Sequence, residues 1–340
     1  MKYFLGVNIK RDRQNKKLSL DMRAYIQDKI NLFGLAHLKS TSTAWHKTDP
    51  KDMGEELDAQ NTTLFRAMIG SLIWITLVRP DVAHAVGKLS SSMHRPYQCD
   101  LEMAKRCFRY LKGTMDDVLT YSRDFADREA MFGVGYLWSP TNAQSICSAY
   151  VDSNLEAPRS TTGFVFKMAG GMVMAKSKKQ PVTAVMTYDA EYYAFSMCCM
   201  VAIWLSMFLK EIDYMFFDHF KSHLIKGPIV VHGDNSAVIR MIQEHAISTR
   251  ARHIQLRWHH MMDAIMNGDI EAHGIMGKFN PSDNLTKGLD GPNTTLQRQD
   301  MLGIALMDKA KGVTIPPRIQ WKPIIHNYSA ILDECKFHWD

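Results

Sequence analysis

The sequence predicts an α/β protein in which a mostly helical first part precedes a mixed sheet with helices packed against it. Near residue 118 the apolar residues change from helical spacing to short runs that are typical of strands. Beyond residue 188, helical and strand patterns alternate, as they do where helices cover a sheet. We therefore predict a boundary within 115–145 and assign 1–130 to the first part, 131–304 to the second and 305–340 to a tail.

The composition is that of an intracellular globular protein. Of 340 residues, 46% are hydrophobic and 22% are charged, and the net charge of +6 is compatible with a polyanionic partner. The six cysteines include no C-x-x-C pair, which favours reduced thiols. The longest apolar runs, 67–78 and 197–209, are shorter than the ~18–20 residues of a membrane span, and no secretory signal opens the chain. We expect a cytoplasmic or nuclear protein that is not secreted and has no membrane partner.

The first part begins with a predicted β-hairpin, whose strands lie in 3–12 and 16–22. Helical spacing follows over 23–35, near whose end Gly34 marks a stop. The polar residues 39–63 predict a loop. Residues 64–112 then predict helices, interrupted before two prolines, Pro80 and Pro96.

The second part combines strands and helices. Strands are predicted at 118–122, 131–138, 145–152, 163–168, 171–178, 181–188, 228–234 and 269–277. Helices are predicted from about 189 to 212, at 235–245 and at 254–268, with a short one at 283–289. We assign the large apolar and aromatic side chains of the first of these helices to the core: Tyr192, Phe195, Trp204 and Phe208.

Four carboxylates occur where predicted strands end or helices begin. Asp152 and Asp234 follow strands, Glu191 lies in the first turn of a helix, and Asp283 begins the last helix. Each position has an ordinary explanation, because Asp favours turns and N-caps and acidic residues complement the helix dipole. Converging at one end of a sheet, the four could instead hold two divalent cations about 4 Å apart, an arrangement used for displacement at phosphorus. The pattern leaves both interpretations open.

The order strand-Asp, helix-Glu, strand-Asp, helix-Asp resembles the acidic quartet of the ribonuclease H fold. More closely, 146–304 resembles the C-terminal ribonuclease H domain of copia-type retrotransposon Pol polyproteins, through "KSKKQPV", "AIWLSMFLKEI", "STRARHIQLRWHHMM" and "DNLTKGL". The first part resembles the end of the reverse transcriptase of that family, through "KYFLGVNI" and "AKRCFRYLKGT". The implied fold is a ribonuclease H-like mixed five-stranded sheet with flanking helices. A mostly helical reverse-transcriptase thumb and connection remnant with an N-terminal β-hairpin would precede it.

The resemblance implies a role for each carboxylate. Asp152, Glu191, Asp234 and Asp283 would be the catalytic residues and would bind two Mg²⁺ ions, for which Mn²⁺ is a substitute. The implied activity is endonucleolytic hydrolysis of the RNA strand of an RNA–DNA hybrid. The polymerase centre of the family, with its Tyr-x-Asp-Asp hairpin, does not occur in this sequence, so we expect no DNA polymerisation by this chain. The upstream reverse-transcriptase portion is a further expected partner.

Four positions near the expected centre depart from the family pattern. Asn154 stands in place of Asp, Asp189 in place of Glu, and Met186-Thr187 in place of Ser-Ser. A second hypothesis is therefore a catalytically dead transposon remnant that only binds nucleic acid. A third, an integrase-like nuclease, is disfavoured by the order of the carboxylates and by the presence of a fourth.

Basic residues follow one predicted strand and surround the start of the third helix. Given the quartet, we assign six of them to nucleic-acid binding, with a solvated charged surface as the alternative: Lys176, Lys178, Lys179, Arg250, Arg252 and Arg257. His253, His259 and His260 lack the cysteine pair or second histidine cluster of a zinc site, so we assign them to a polar helix face.

Overall fold

The computed structural model describes residues 2–50, 52–122, 147–217, 227–243 and 255–304. Its first part contains a four-stranded antiparallel sheet in the order β1-β2-β3-β4. The strands are Tyr3–Phe4, Val7–Asp12, Lys17–Asp21 and Leu119–Ser122. Four helices, α1 to α4, lie between β3 and β4 in the chain: Arg23–Leu32, Ala59–Ile75, Ala83–Ser91 and Gln98–Gly113.

The predicted N-terminal hairpin is confirmed. Strand β2 pairs antiparallel with β3, from Asn8 opposite Asp21 to Asp12 opposite Lys17. Leu5 and Gly6 have positive φ angles of 48° and 87°, so the first predicted strand is divided into β1 and β2 by a tight turn.

The second part contains a mixed five-stranded sheet in the order β7-β6-β5-β8-β9. Strands β5, β6 and β7 form an antiparallel meander, whereas β8 and β9 run parallel to β5. The strands are Cys147–Asn154, Thr161–Met168, Gly171–Lys179, Ile229–Gly233 and Ile270–Gly274. Helices α5 to α8 are Thr187–Phe217, Ser236–Gln243, Gln255–Met266 and Gly291–Met301. This is the predicted ribonuclease H-like sheet with flanking helices, preceded by an antiparallel sheet and helices.

Three sequence predictions of elements in this part need correction. The strand expected at 118–122 is β4, which pairs with β3 and so belongs to the first sheet. The strand expected at 181–188 is wrong: the segment bends into α5, and its Val182 and Val185 are exposed. Helix α8 was not predicted, although Asp290 caps it and a proline occupies its first turn. The strand expected at 131–138 lies outside the described residues.

Helix α5 is the main helix of the second core, but its apolar residues are divided between two environments. Tyr192 and Phe195 are buried against the sheet, as predicted. Trp204 and Phe208 were also assigned to the core, which is wrong: they are about half exposed and stack on each other with ring centroids 5.6 Å apart. Among the described helices, α5 alone is long and apolar enough to cross a membrane, and 61% of that apolar window is buried inside the protein.

A buried polar network joins the two parts of the chain. Arg79 forms a bidentate ion pair with Asp81, at 2.9 and 2.7 Å, and the hydroxyl of Tyr110 donates to Asp81 at 2.7 Å. From α8, Arg298 donates to the Tyr110 hydroxyl at 3.1 Å and to Asp117 at 2.6 Å. Because each buried charge has a partner, the network fixes α8 and the segment before it against the first part.

Candidate active site

Strand register places two of the predicted carboxylates side by side. Val151 of β5 pairs with Gly233 of the parallel strand β8, so the residues that follow, Asp152 and Asp234, emerge together at one end of the sheet. Strand β5 continues beyond Asp152 to Asn154. Asp152 itself pairs with Gly163 of the neighbouring strand β6. The turn interpretation of Asp152 is therefore wrong, because the residue lies inside a strand.

A 3₁₀ turn at Pro281–Leu285 carries Asp283 to the same end of the sheet. Asn280, just before the turn, donates from Nδ2 to the Val151 carbonyl at 2.9 Å. Thr286, just after it, donates a short hydrogen bond from Oγ1 to Asp152 Oδ2. Strand β6 approaches closely through Gly163, where a Cβ would lie 2.7 Å from a Thr286 methyl carbon. The segment is thus fixed on both sides of Asp283.

The capping explanation does not account for Asp234 or Asp283. Asn235 Oδ1 accepts hydrogen bonds from the backbone N–H groups of Ala237 and Val238 at 3.1 and 3.3 Å, so Asn235 caps α6. The 3₁₀ turn is capped by Asn280. The carboxylates of Asp234 and Asp283 are therefore available for another role.

Three of the four predicted carboxylates meet. One ligand oxygen from each of Asp152, Asp234 and Asp283 can be chosen so that all three lie within 4.8 Å of one another. Glu191 is not part of that group, but it is 9% exposed at the start of α5, and the charges of Asp152 and Asp234 act on it. The structure thus brings three aspartates into one cluster and places Glu191 beside it.

The cluster is electrostatically unfavourable without a cation. Burial raises the pKa of Asp152 to about 7, and the charge of Asp283 contributes to the increase. Burial, with Asp152 and then Asp234, raises the pKa of Glu191 to about 9. Burial and Asp283 also raise the pKa of Asp234.

These residues fit a site for a hard divalent cation such as Mg²⁺ or Ca²⁺. Crowded carboxylate oxygens are the ligands that such a cation prefers. Among the described residues, this aspartate cluster is the only group of three or more His, Cys, Asp or Glu side chains that could hold a metal ion.

Two residues that contact the cluster, Thr286 and Lys287, were not predicted as site residues. Besides Thr286, the ammonium of Lys287 lies 3.1 Å from Asp283 Oδ1 and 3.7 Å from Asp152 Oδ2. Desolvation favours the neutral amine, but these carboxylates outweigh it and raise the pKa of Lys287. The signal was available, because Lys287 follows Asp283 by four residues, a spacing at which opposite charges meet on a helical turn.

A third missed residue, Gln180, connects the end of β7 to the start of α5. Its Nε2 donates to Thr162 Oγ1 at 3.0 Å and to the Ala190 carbonyl at 2.9 Å, and the side chain is buried. Because Ala190 precedes Glu191, this hydrogen bond holds the backbone next to Glu191 in position.

The predicted basic residues divide into three groups. Lys176, Lys178 and Lys179 are exposed on β7, the edge strand of the mixed sheet. Arg257 of α7 places its guanidinium 4.1 Å from the ring centroid of Tyr193. Arg250 and Arg252 lie outside the described residues, as does His253, while His259 and His260 are exposed on α7.

Comparison with known proteins identifies relatives but no family model that matches the chain. It is 29% identical over 294 residues to the Retrovirus-related Pol polyprotein from transposon TNT 1-94 of Nicotiana tabacum, covering 83% of this chain and 20% of that protein. The Pol polyprotein from transposon RE1 of Arabidopsis thaliana is 24% identical over 291 residues, which are 84% of this chain and 18% of that protein. The chain thus spans about a fifth of the length of these relatives.

A shorter relative is covered almost completely. Secreted RxLR effector protein 161 of Plasmopara viticola is 33% identical over 144 residues, which are 42% of this chain and 92% of that protein. Among solved structures, ribonuclease H1 from Halobacterium salinarum is similar at a TM-score of 0.30 and 17% identity, over 41% of this chain and 93% of that one.

A mixed sheet in this strand order, with acidic side chains meeting where β5 and β8 end, defines a ribonuclease H-like domain. An antiparallel sheet and helices precede it in the chain. Over 83–84% of its length the chain is thus similar to copia-type retrotransposon Pol polyproteins, consistent with their C-terminal reverse transcriptase and ribonuclease H portion.

Proposed function

We propose that this chain is a divalent-metal-dependent ribonuclease H that hydrolyses the RNA strand of RNA–DNA hybrids inside the cell. The observation that supports it best is the convergence of Asp152, Asp234 and Asp283, which come from three separate segments of the chain. Buried carboxylates at this spacing repel one another, so the arrangement is unfavourable unless it serves to bind cations.

The four carboxylates of the site would together bind two Mg²⁺ ions, for which Mn²⁺ is a substitute. Asp152, which accepts a hydrogen bond from Thr286, would supply ligand oxygens from β5. Asp234 and Asp283 would supply further ligands from the end of β8 and from the 3₁₀ turn, and Glu191 would supply the fourth carboxylate from α5. Cations bound here would activate a water molecule and neutralise the leaving oxygen, giving a 3′-hydroxyl and a 5′-phosphate.

The exposed lysines of β7 suit the phosphates of the substrate. Asp152 is opposite Gly163, which is opposite Ser177 on β7, so the row from the site to the sheet edge crosses two strand spacings, about 10 Å. Lys176 and Lys178 flank Ser177 and are exposed. Because successive side chains of a strand point to opposite faces, the two lysines project from the other face of this edge, where they can contact phosphates farther along the hybrid, while Arg257 contributes a further positive charge from α7.

Cleavage of a labelled RNA–DNA hybrid by the full chain tests this function. We expect cleavage of the RNA strand with Mg²⁺, none with EDTA, and none of a matched DNA duplex. Asp152→Asn and Asp234→Asn should each reduce cleavage by about 10²-fold or more while the far-UV circular dichroism stays unchanged. Asp263→Asn, at an exposed aspartate of α7, is the matched control and should retain activity.

Two results would contradict the proposal in different ways. Full activity of Asp152→Asn would show that Asp152 is not a catalytic residue and that the assigned active site is wrong. Hybrid binding by the wild-type chain without cleavage at any Mg²⁺ or Mn²⁺ concentration would instead support the hypothesis of a remnant that only binds nucleic acid.

A further inference from the structure

The ammonium group of Lys287 lies inside the aspartate cluster, where a positive charge is required. Its Nζ is 3.1 Å from Asp283 Oδ1 and 3.7 Å from Asp152 Oδ2. Within the described ranges, no other lysine or arginine forms an ion pair with either aspartate. Lys287 is thus the internal charge that offsets the mutual repulsion of the carboxylates.

The backbone holds Lys287 at this position. Its N–H donates to the Asp283 carbonyl at 3.2 Å, which keeps the two side chains on the same side of the turn. The next residue, Gly288, packs against the first part of the chain so closely that a Cβ would lie 1.9 Å from the His46 carbonyl oxygen. The start of the lysine side chain is therefore fixed, although 44% of the side chain is exposed and its end can move toward solvent.

We propose that Lys287 is a built-in counter-cation, which neutralises the aspartate cluster while no divalent cation is bound and competes with divalent cations for it. This inference rests on the metal site proposed above. It adds that the affinity of the site is lower than its carboxylates alone would give, because the ammonium must leave before a cation can bind.

The competition follows from elementary electrostatics. A divalent cation that binds to the same oxygens would come within a few ångströms of the ammonium, and like charges at that distance repel strongly in a buried environment. The ammonium can be displaced because its side chain is flexible and partly exposed, whereas the carboxylates are held by strands and the 3₁₀ turn.

Lys287→Met in the full chain separates the two parts of the proposal. Methionine has a similar length and no charge, and Lys287→Arg retains the charge. Lys210→Met is the matched control, because Lys210 is an exposed lysine that pairs with Asp269 at 3.2 Å at the opposite end of the sheet. Calorimetric titration with Mn²⁺ measures the affinity, and melting temperature in EDTA measures the metal-free stability.

We expect Lys287→Met to bind Mn²⁺ about tenfold more tightly than the wild-type chain and to melt ~3 °C lower in EDTA. Lys287→Arg and Lys210→Met should behave as the wild type in both measurements. Unchanged or weaker Mn²⁺ binding by Lys287→Met would overturn the competition, and an unchanged or higher melting temperature in EDTA would overturn the neutralisation.

Failure of the metal site itself would give a different pattern. If the wild-type chain, Lys210→Met and Lys287→Met all showed no saturable Mn²⁺ binding, the proposed nuclease site would be wrong and the competition with it. The melting temperatures in EDTA would still decide whether Lys287 neutralises the cluster, since that measurement needs no metal.

Discussion

Replacing Asp152 by asparagine should make the metal-free protein more stable, although it removes a residue of the proposed active site. The buried carboxyl group has a pKa raised from 3.8 to about 7, with burial as the first cause and Asp283 as the second. A difference of roughly three pH units corresponds to roughly 4 kcal/mol that folding loses when the group is ionised. Asparagine keeps the shape and an acceptor for Thr286 without the charge.

Urea unfolding in EDTA at pH 8.5, where Asp152 is ionised, measures this effect. We expect Asp152→Asn to raise the free energy of unfolding by about 2–4 kcal/mol, below the full value because neighbours relax. Saturating Mg²⁺ should then stabilise the wild-type chain more than the variant, since the variant has lost a ligand.

Asp81→Asn provides the contrasting control. Burial would raise the pKa of Asp81, but its ion pair with Arg79 outweighs burial and lowers it. Removing that carboxylate leaves the buried guanidinium unpaired, so we expect a loss of about 3–5 kcal/mol. If Asp152→Asn also lost stability in EDTA, the charge of Asp152 would not be destabilising and the reasoning would be refuted.

Three further predictions concern pH, substrate contacts and packing. Folding raises the pKa of Asp152 to about 7 and that of Glu191 to about 9, so both groups stabilise the folded state fully below about pH 4 and lose this contribution as pH rises through those values. The melting temperature in EDTA should therefore fall between about pH 5 and pH 9. With Mg²⁺ the fall should be less steep. Replacing both Lys176 and Lys178 by glutamine should reduce the salt dependence of hybrid binding, measured by fluorescence anisotropy, by about two charges, whereas Lys210→Gln should not. Gly163→Ala should lower the melting temperature and weaken Mn²⁺ binding, because its Cβ would lie 2.7 and 2.8 Å from Thr286 and Leu285 carbons; Gly70→Ala, with open space around it, should raise stability by up to about 1 kcal/mol.

The sequence was most informative where a pattern is local. The hairpin β2–β3, helices α1 to α4 and the strand–helix alternation after residue 227 follow from periodicity and from Gly and Pro positions. The local pattern predicted a strand at 181–188 because this segment contains β-branched residues. The segment pairs with no strand in the part of the chain that the structure describes. Local patterns also failed at α8, whose apolar stripe is weak because it packs largely through polar residues such as Arg298.

The site could be predicted only in outline, because its geometry depends on distant pairings. That Asp152 and Asp234 emerge together follows from the pairing of Val151 with Gly233, 82 positions apart in the chain. No local pattern sets that register. Lys287 was overlooked for another reason: a lysine four residues after an aspartate usually indicates a surface ion pair, and only the fold shows that this pair belongs to a buried cluster.

The segment that carries Asp283 packs against the first part of the chain. Gly288 is in contact with the His46 carbonyl, and the Asn284 amide donates to the Asp81 carbonyl at 3.3 Å. A fragment that begins at residue 131 would thus lose the contacts that support the segment carrying Asp283. A shortened nuclease made from this chain would therefore have to keep residues 40–120, or replace them with another structure that packs against residues 281–289.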